Sequence, residues 1–243
     1  MQENFKNYAG AWLLLILIGL GCGGPAGEFE AGMEAYARGD YQTALEKWRP
    51  LAEQGNASAQ TNIGVMYYQG LGVQRNYEEA LKWYRMAAAQ GDPDGQFNLG
   101  VAYAEGKGVE RDSREALRWY RMAAEQGYVA AQLLLGETYY RGQGVAVDYR
   151  EAANWYRRAA EQGHPVAQFV LGTLYVTGQG VARDLVQAYL WLTLASSQGQ
   201  QAARQNALRS RELVAEQMTQ DEIAQAERLA KDWKPRSPGS PER

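Results

Sequence analysis

Few residues in this chain are of types that do chemistry, and their spacing keeps them apart. Cys22 is the sole cysteine and His164 the sole histidine, 142 positions on. One thiol excludes an intramolecular disulfide, and one Cys with one His cannot supply a zinc set or a thiolate–imidazole pair. The sequence has no SxxK, no HExxH and no Ser/His/Asp set in a helpful context, and its acidic residues fall at the spacing of solvated helix faces. Four loops, QGLGVQRN, EGKGVERD, RGQGVAVD and TGQGVARD, carry two glycines each. They are not phosphate cradles, because no strand precedes them and no Lys-Ser/Thr follows. His164, in GHPVAQ just after a glycine stop, reads as a surface turn residue. The expectation is a protein without catalytic residues, metal or cofactor, and not an enzyme.

Cys22 has another use. Ala11–Leu20, AWLLLILIGL, is an uninterrupted apolar run preceded by Lys6. Ten residues make roughly 15 Å of helix, half of a ~30 Å hydrocarbon core, so the run reads as the h-region of a signal peptide. GLGC, Gly19 to Cys22, resembles the bacterial lipobox, with Gly19 where Leu is usual and Leu20 beside it. The resemblance implies cleavage before Cys22, lipidation of its thiol and a lipid anchor in the cell envelope facing the periplasm, with Gly23 after the cysteine resembling the outer-membrane signal. Soluble periplasmic or secreted export is the alternative. Residues 23–27, GGPAG, then serve as a flexible tether.

The dominant feature is a period. Trp83, Trp119, Trp155 and Trp191 are spaced by 36, as are Gly64, Gly100, Gly136 and Gly172, and Tyr67, Tyr103, Tyr139 and Tyr175. Gln-Gly stops end at Gly55, Gly91, Gly127, Gly163 and Gly199 on the same period. A fixed period of this size is the mark of a solenoid. Each unit has a first helix, AQxxxGxxY, and a second such as EALRWYRMAAEQG, with apolar residues at i, i+3, i+4, i+7 and i+8. The loop between them opens on a glycine suited to ending a helix, sends a Val toward the core and closes on Asn76, Asp112, Asp148 or Asp184 as N-cap. Glycine at 64, 100, 136 and 172 removes a side chain where the paired helices must approach, and Trp119 is expected to be buried between helix pairs. A lone pair exposes apolar faces on both sides, so the repetition is a requirement of folding.

GxGVxxDxxxAxxWYxxAAxQG, preceded by AQxxLGxxY, resembles the Sel-like repeat, a relative of the tetratricopeptide repeat. The resemblance covers Phe29 to about Gly199 and implies an all-α, right-handed α-solenoid. The chain then divides into a signal peptide (1–22), the tether (23–27), five repeats (28–199), C-terminal capping helices (200–234) and a disordered tail (235–243). The first repeat departs from the pattern. Its loop ARGD lacks the GxGV insertion, Trp48 sits one place late, and Pro50 should kink the second helix. TQDE, Thr219 to Glu222, reads as a capping box.

By the same resemblance, first helices line a concave face. Its inward positions are Thr61, Asn62, Val65, Tyr68 and Gln69; Asp94, Phe97, Asn98, Val101 and Glu105; Leu133, Glu137, Tyr140 and Arg141; and Phe169 and Thr173. Leu134 and Val170 read as packing residues beside them. The net charge of −3 provides no basic field, so nucleic acid is excluded as a partner. The function expected is a non-catalytic scaffold on the cell envelope that binds an unidentified envelope protein or peptide on the concave face, touching the membrane only through its lipid. The alternative is binding of glycan, peptidoglycan or an exopolysaccharide machine, with tyrosines as stacking platforms. Some disulfide-bonded members of the family are linked to β-lactams, but those carry paired cysteines in each repeat, and this chain does not.

Overall fold

The computed structural model describes residues 24–237, and those residues contain twelve α-helices and no strand. Eleven helices have 13 residues, about 20 Å at 1.5 Å per residue. They run α1 (Pro25–Ala37), α2 (Tyr41–Glu53), α3 (Ala57–Gln69), α4 (Tyr77–Ala89), α5 (Pro93–Glu105), α6 (Ser113–Glu125), α7 (Val129–Arg141), α8 (Tyr149–Glu161), α9 (Pro165–Thr177), α10 (Leu185–Ser197), the longer α11 (Gln201–Ala215) and α12 (Gln220–Asp232). The class is an all-α solenoid of helix-pair repeats. The described residues form two compact units. One runs to Ala102 and takes in Lys107–Glu110; the other has Tyr103–Gly106 and continues from Arg111.

Local chemistry sets the helix ends. Asn76, Asp112, Asp148 and Asp184 each accept a backbone N–H of the following first turn, as their spacing predicts. Gly70, Gly142 and Gly178 end first helices in the left-handed conformation. Thr219 and Glu222 form the full capping box of α12. His164 is more than a turn residue. It is half-buried, and its Nδ1 accepts from the Ala167 N–H at 3.5 Å as the N-cap of α9. Burial lowers its pKa, which keeps the ring neutral and able to accept.

Within each unit the helices pack in chain order: α1 to α4 in the first, α6 to α10 in the second, where α10 also carries α11 and α12. Two contacts repeat. The Gly64, Gly136 and Gly172 backbones lie against Tyr84, Tyr156 and Leu192, where a Cβ would come within 2.5, 3.0 and 2.9 Å. Burial pushes the phenols of Tyr84 and Tyr156 far above the usual tyrosine range, so they pack as neutral rings. A glutamine relay also runs through the interior. Gln132 Nε2 donates to the Ala124 carbonyl at 3.0 Å, and its Oε1 accepts from Gln162 at 2.9 Å. Gln60 stands likewise between Ala52 and Gln90. The relay stops at Gln168: its Nε2 reaches the Ala160 carbonyl, but its buried Oε1 has no partner. Gln198, the donor due 36 residues after Gln162, has turned to extended backbone (φ −133°, ψ 165°).

Several expectations are corrected. Residues Pro25–Gly27, assigned to the tether, are the first turn of α1. Trp48 is not a displaced member of the tryptophan stripe. It occupies the register of Tyr84 and lies over Gly32, with Nε1 donating to the Phe29 carbonyl at 3.1 Å. Trp119 is only half-buried, its ring covered by the Arg118 guanidinium at 4.5 Å, whereas Trp83, Trp155 and Trp191 are buried. The tail begins in order: Trp233 packs edge-on against Trp191, and Arg236 pairs with Glu161 at 2.7 Å. Its last six residues, the signal segment and Cys22 lie outside the described residues.

Candidate partner-binding groove

Helical spacing names sixteen first-helix positions as inward-facing, and the structure separates them into three groups. Thr61 is buried, its hydroxyl donating to Asp92 Oδ2 at 2.8 Å while that carboxylate also takes the Gly95 N–H; it belongs to the framework and offers nothing to a partner. A second group is half-buried among neighbours. Asn62 reaches Met33 Sδ at 3.6 Å, Tyr68 lies against Tyr77 and Tyr84, Asn98 donates to its own helix at Asp94, and Leu133 packs on the core of the second unit. Val65, Phe97 and Val101 are also half-buried, while Gln69, Asp94 and Glu105 are exposed.

The remaining five come together. Glu137, Tyr140 and Arg141 on α7 and Phe169 and Thr173 on α9 line one groove of the second unit, of about 340 Å³. Val166, Val170, Leu174 and the Tyr156 ring complete its wall. The side chains have identifiable supports. Thr173 Oγ1 donates back to the Phe169 carbonyl at 3.0 Å. Phe169 is seated on the cluster formed by Tyr189, Leu192, Val214 and Ala226. Glu137 and Arg141 pair at 3.1 Å, one turn apart, so their charges cancel locally. The result is an apolar floor with aromatic walls and a neutralised rim, an arrangement suited to an apolar side chain of a partner and not to proton transfer.

Val166 is 44 % exposed in this wall and is absent from the predicted set. The signal for it is present, because Val166 stands 72 residues after Asp94, which the same reading includes. A larger hollow of about 480 Å³ lies at the first glycine loop, among Tyr67, Val73, Gln74, Arg75 and Asn76. It is a gap beside a loop with a largely polar lining. Among the described residues no group of His, Cys, Asp or Glu is arranged to hold a metal ion, and no helix is long and apolar enough to cross a membrane.

A stack of helix pairs with an apolar groove on one face defines a repeat-built scaffold. Comparison with known proteins agrees. The model of the Sel1 repeat family matches residues 57–92, 93–128, 129–164 and 165–200, and the chain belongs to that family. A Sel1 repeat protein from Oxalobacter formigenes is 34% identical, with a TM-score of 0.65 over 79% of this chain and 86% of that one. A protective antigen of uropathogenic Escherichia coli displaying an SLR fold is 32% identical over 86% of this chain and 53% of its own, with a TM-score of 0.48. A putative Sel1 repeat protein from Klebsiella pneumoniae, 19% identical, has a TM-score of 0.50 over 79% of this chain and 93% of that one. No curated protein matches. Sel1 repeat proteins are generally non-catalytic protein-interaction scaffolds.

Proposed function

We propose that this protein is a scaffold of the bacterial cell envelope, held by a lipid on Cys22, and that it receives a segment of a partner protein in the groove between α7 and α9. The groove carries the reading: Tyr140, Val166 and Thr173 are exposed beside Phe169, where an ordinary helical surface would be charged. Central aromatic anchors hold most of the energy of such contacts. The test uses the partner recovered by cross-linking in envelope extract, purified and titrated against variants. A Tyr140→Ala, Phe169→Ala pair is expected to cost about 2 kcal/mol or more of binding per residue. Val166→Arg fills the groove while leaving the buried core intact and should abolish binding on its own. The exposed pair Arg114→Ala, Glu125→Ala on α6 should leave affinity within about twofold, a change below 0.5 kcal/mol. Loss of binding in that pair with retention in Val166→Arg would move the interface away from the groove.

The anchor is supported by the apolar run Ala11–Leu20 and by the position of the one thiol directly after it. Cys22→Ser is expected to leave an uncleaved precursor or to move the protein from the membrane fraction to the soluble fraction. The same mass and the same fractionation in variant and parent would remove the lipid from the proposal.

A further inference from the structure

Two tyrosine pairs of the same build occur 72 residues apart, and a cation covers one of them. In the first unit, Tyr68 near the end of α3 meets Tyr77, the first residue of α4, edge to face with ring centroids 5.0 Å apart. The Lys107 ammonium stands 5.2 Å from the Tyr68 ring and 5.5 Å from the Tyr77 ring, inside cation–π distance of both. In the second unit, Tyr140 near the end of α7 meets Tyr149, the first residue of α8, at 5.3 Å and 64°. The position corresponding to Lys107 is Gln179, a neutral amide whose Oε1 accepts from the Tyr140 hydroxyl at 3.4 Å. The repeat between them has Ala104, Ser113 and Gln143 at the three places, so the helical framework does not require tyrosine there.

The second pair therefore has the electron-rich faces that attract an ammonium in the first, with a neutral residue where the ammonium would stand. The rings are 36 % and 38 % exposed, and Tyr140 is also a wall of the groove. The adjacent cation Arg141 is paired with Glu137. We propose that Tyr140 and Tyr149 form a receptor for a lysine side chain of the partner protein, seated as Lys107 is seated on Tyr68 and Tyr77, with the partner's flanking apolar residue in the groove beside it. This rests on the groove reading above and adds the chemical identity of the anchor.

The probe is a blocked heptapeptide of leucine, serine and alanine with one central lysine, and its twin carries norleucine there. Both are titrated into the full chain, following the ring resonances of Tyr140 and Tyr149 by NMR. The lysine peptide should shift both rings saturably and bind about two- to fivefold more tightly than its twin. In Gln179→Lys the tethered ammonium occupies the receptor, and in Tyr149→Leu the second ring is gone; in either variant the two peptides should bind alike, with helicity by circular dichroism unchanged. Equal affinity of the twins for the parent chain overturns the lysine receptor and leaves the groove reading standing. If neither peptide moves the Tyr140 ring, both readings fall. A lysine preference that survives in Gln179→Lys and in Tyr149→Leu places the cation elsewhere and also overturns the proposal.

Discussion

Gly180→Ala is expected to destabilise the second unit by about 2–5 kcal/mol, whereas Gly144→Ala, at the same place in the preceding loop, should cost about 1–2 kcal/mol. Both glycines are left-handed, with φ of +72° and +77°, so any L side chain meets the same conformational strain at either. What differs is space. A Cβ on Gly180 would lie 1.9 Å from the Tyr149 carbonyl oxygen and 2.3 Å from its carbon, main-chain atoms fixed by the start of α8. A Cβ on Gly144 would find only the Ser113 Cβ, at 3.9 Å. A backbone clash cannot be relieved by turning a rotamer, so the Gly180 loop must lift from the helix it rests on. Denaturant titration of the two variants checks this through the shift in midpoint at a common slope. Equal losses would mean that the loop moves freely and that strain alone sets the cost.

Trp48→Ala should cost about 3–5 kcal/mol, among the largest losses available to a single truncation in the first unit. The indole is 1 % exposed and fills the space above Gly32. It stacks at 6.1 Å on Phe29 and at 5.7 Å on Tyr36, and its N–H satisfies the Phe29 carbonyl. Truncation removes these contacts and the indole's donation to the Phe29 carbonyl, and Gly32 has no side chain with which to close the cavity. Trp119→Ala should lose markedly less, because that ring is half-buried and covered on one face only by the Arg118 guanidinium. Urea midpoints of the two variants rank them, and a larger loss at Trp119 would contradict the burial described above.

The comparison shows what the sequence makes legible. Much that depends on contact within one helix pair could be read from spacing: the N-caps, the glycine stops, and the close approach at Gly64. Features that depend on the neighbouring repeat could not. The second glycine of each loop reads as a permissive turn, but Gly72, Gly108 and Gly180 are also where one repeat's backbone lies against the start of the previous repeat's second helix, at Tyr41, Tyr77 and Tyr149. Trp48 looks one place late only when it is matched to Trp83; at a spacing of 36 it stands in the register of Tyr84. Once the first loop is taken as four residues shorter, Gly32 moves into the register of Gly64, and Trp48 into its contact. The groove was legible in part. Tyr140, Phe169 and Thr173 follow from helical phase, but Tyr149 and Gln179 belong to a second helix and a loop, which a reading confined to first helices passes over. Thr61 fails for another reason: a small hydroxyl at an inward position is as well placed for a neighbouring carboxylate as for a partner.

The glutamine relay has a consequence for how such a gene can grow. At two seams, Gln60 with Gln90 and Gln132 with Gln162, one glutamine offers an acceptor and the next repeat returns a donor, and Gln168 still offers its acceptor. The relay ends there because the backbone at Gln198 turns away into extended conformation. A tandem duplication placed among the central repeats would thus meet a matching donor and acceptor at both of its new junctions. An addition after α11 would meet neither.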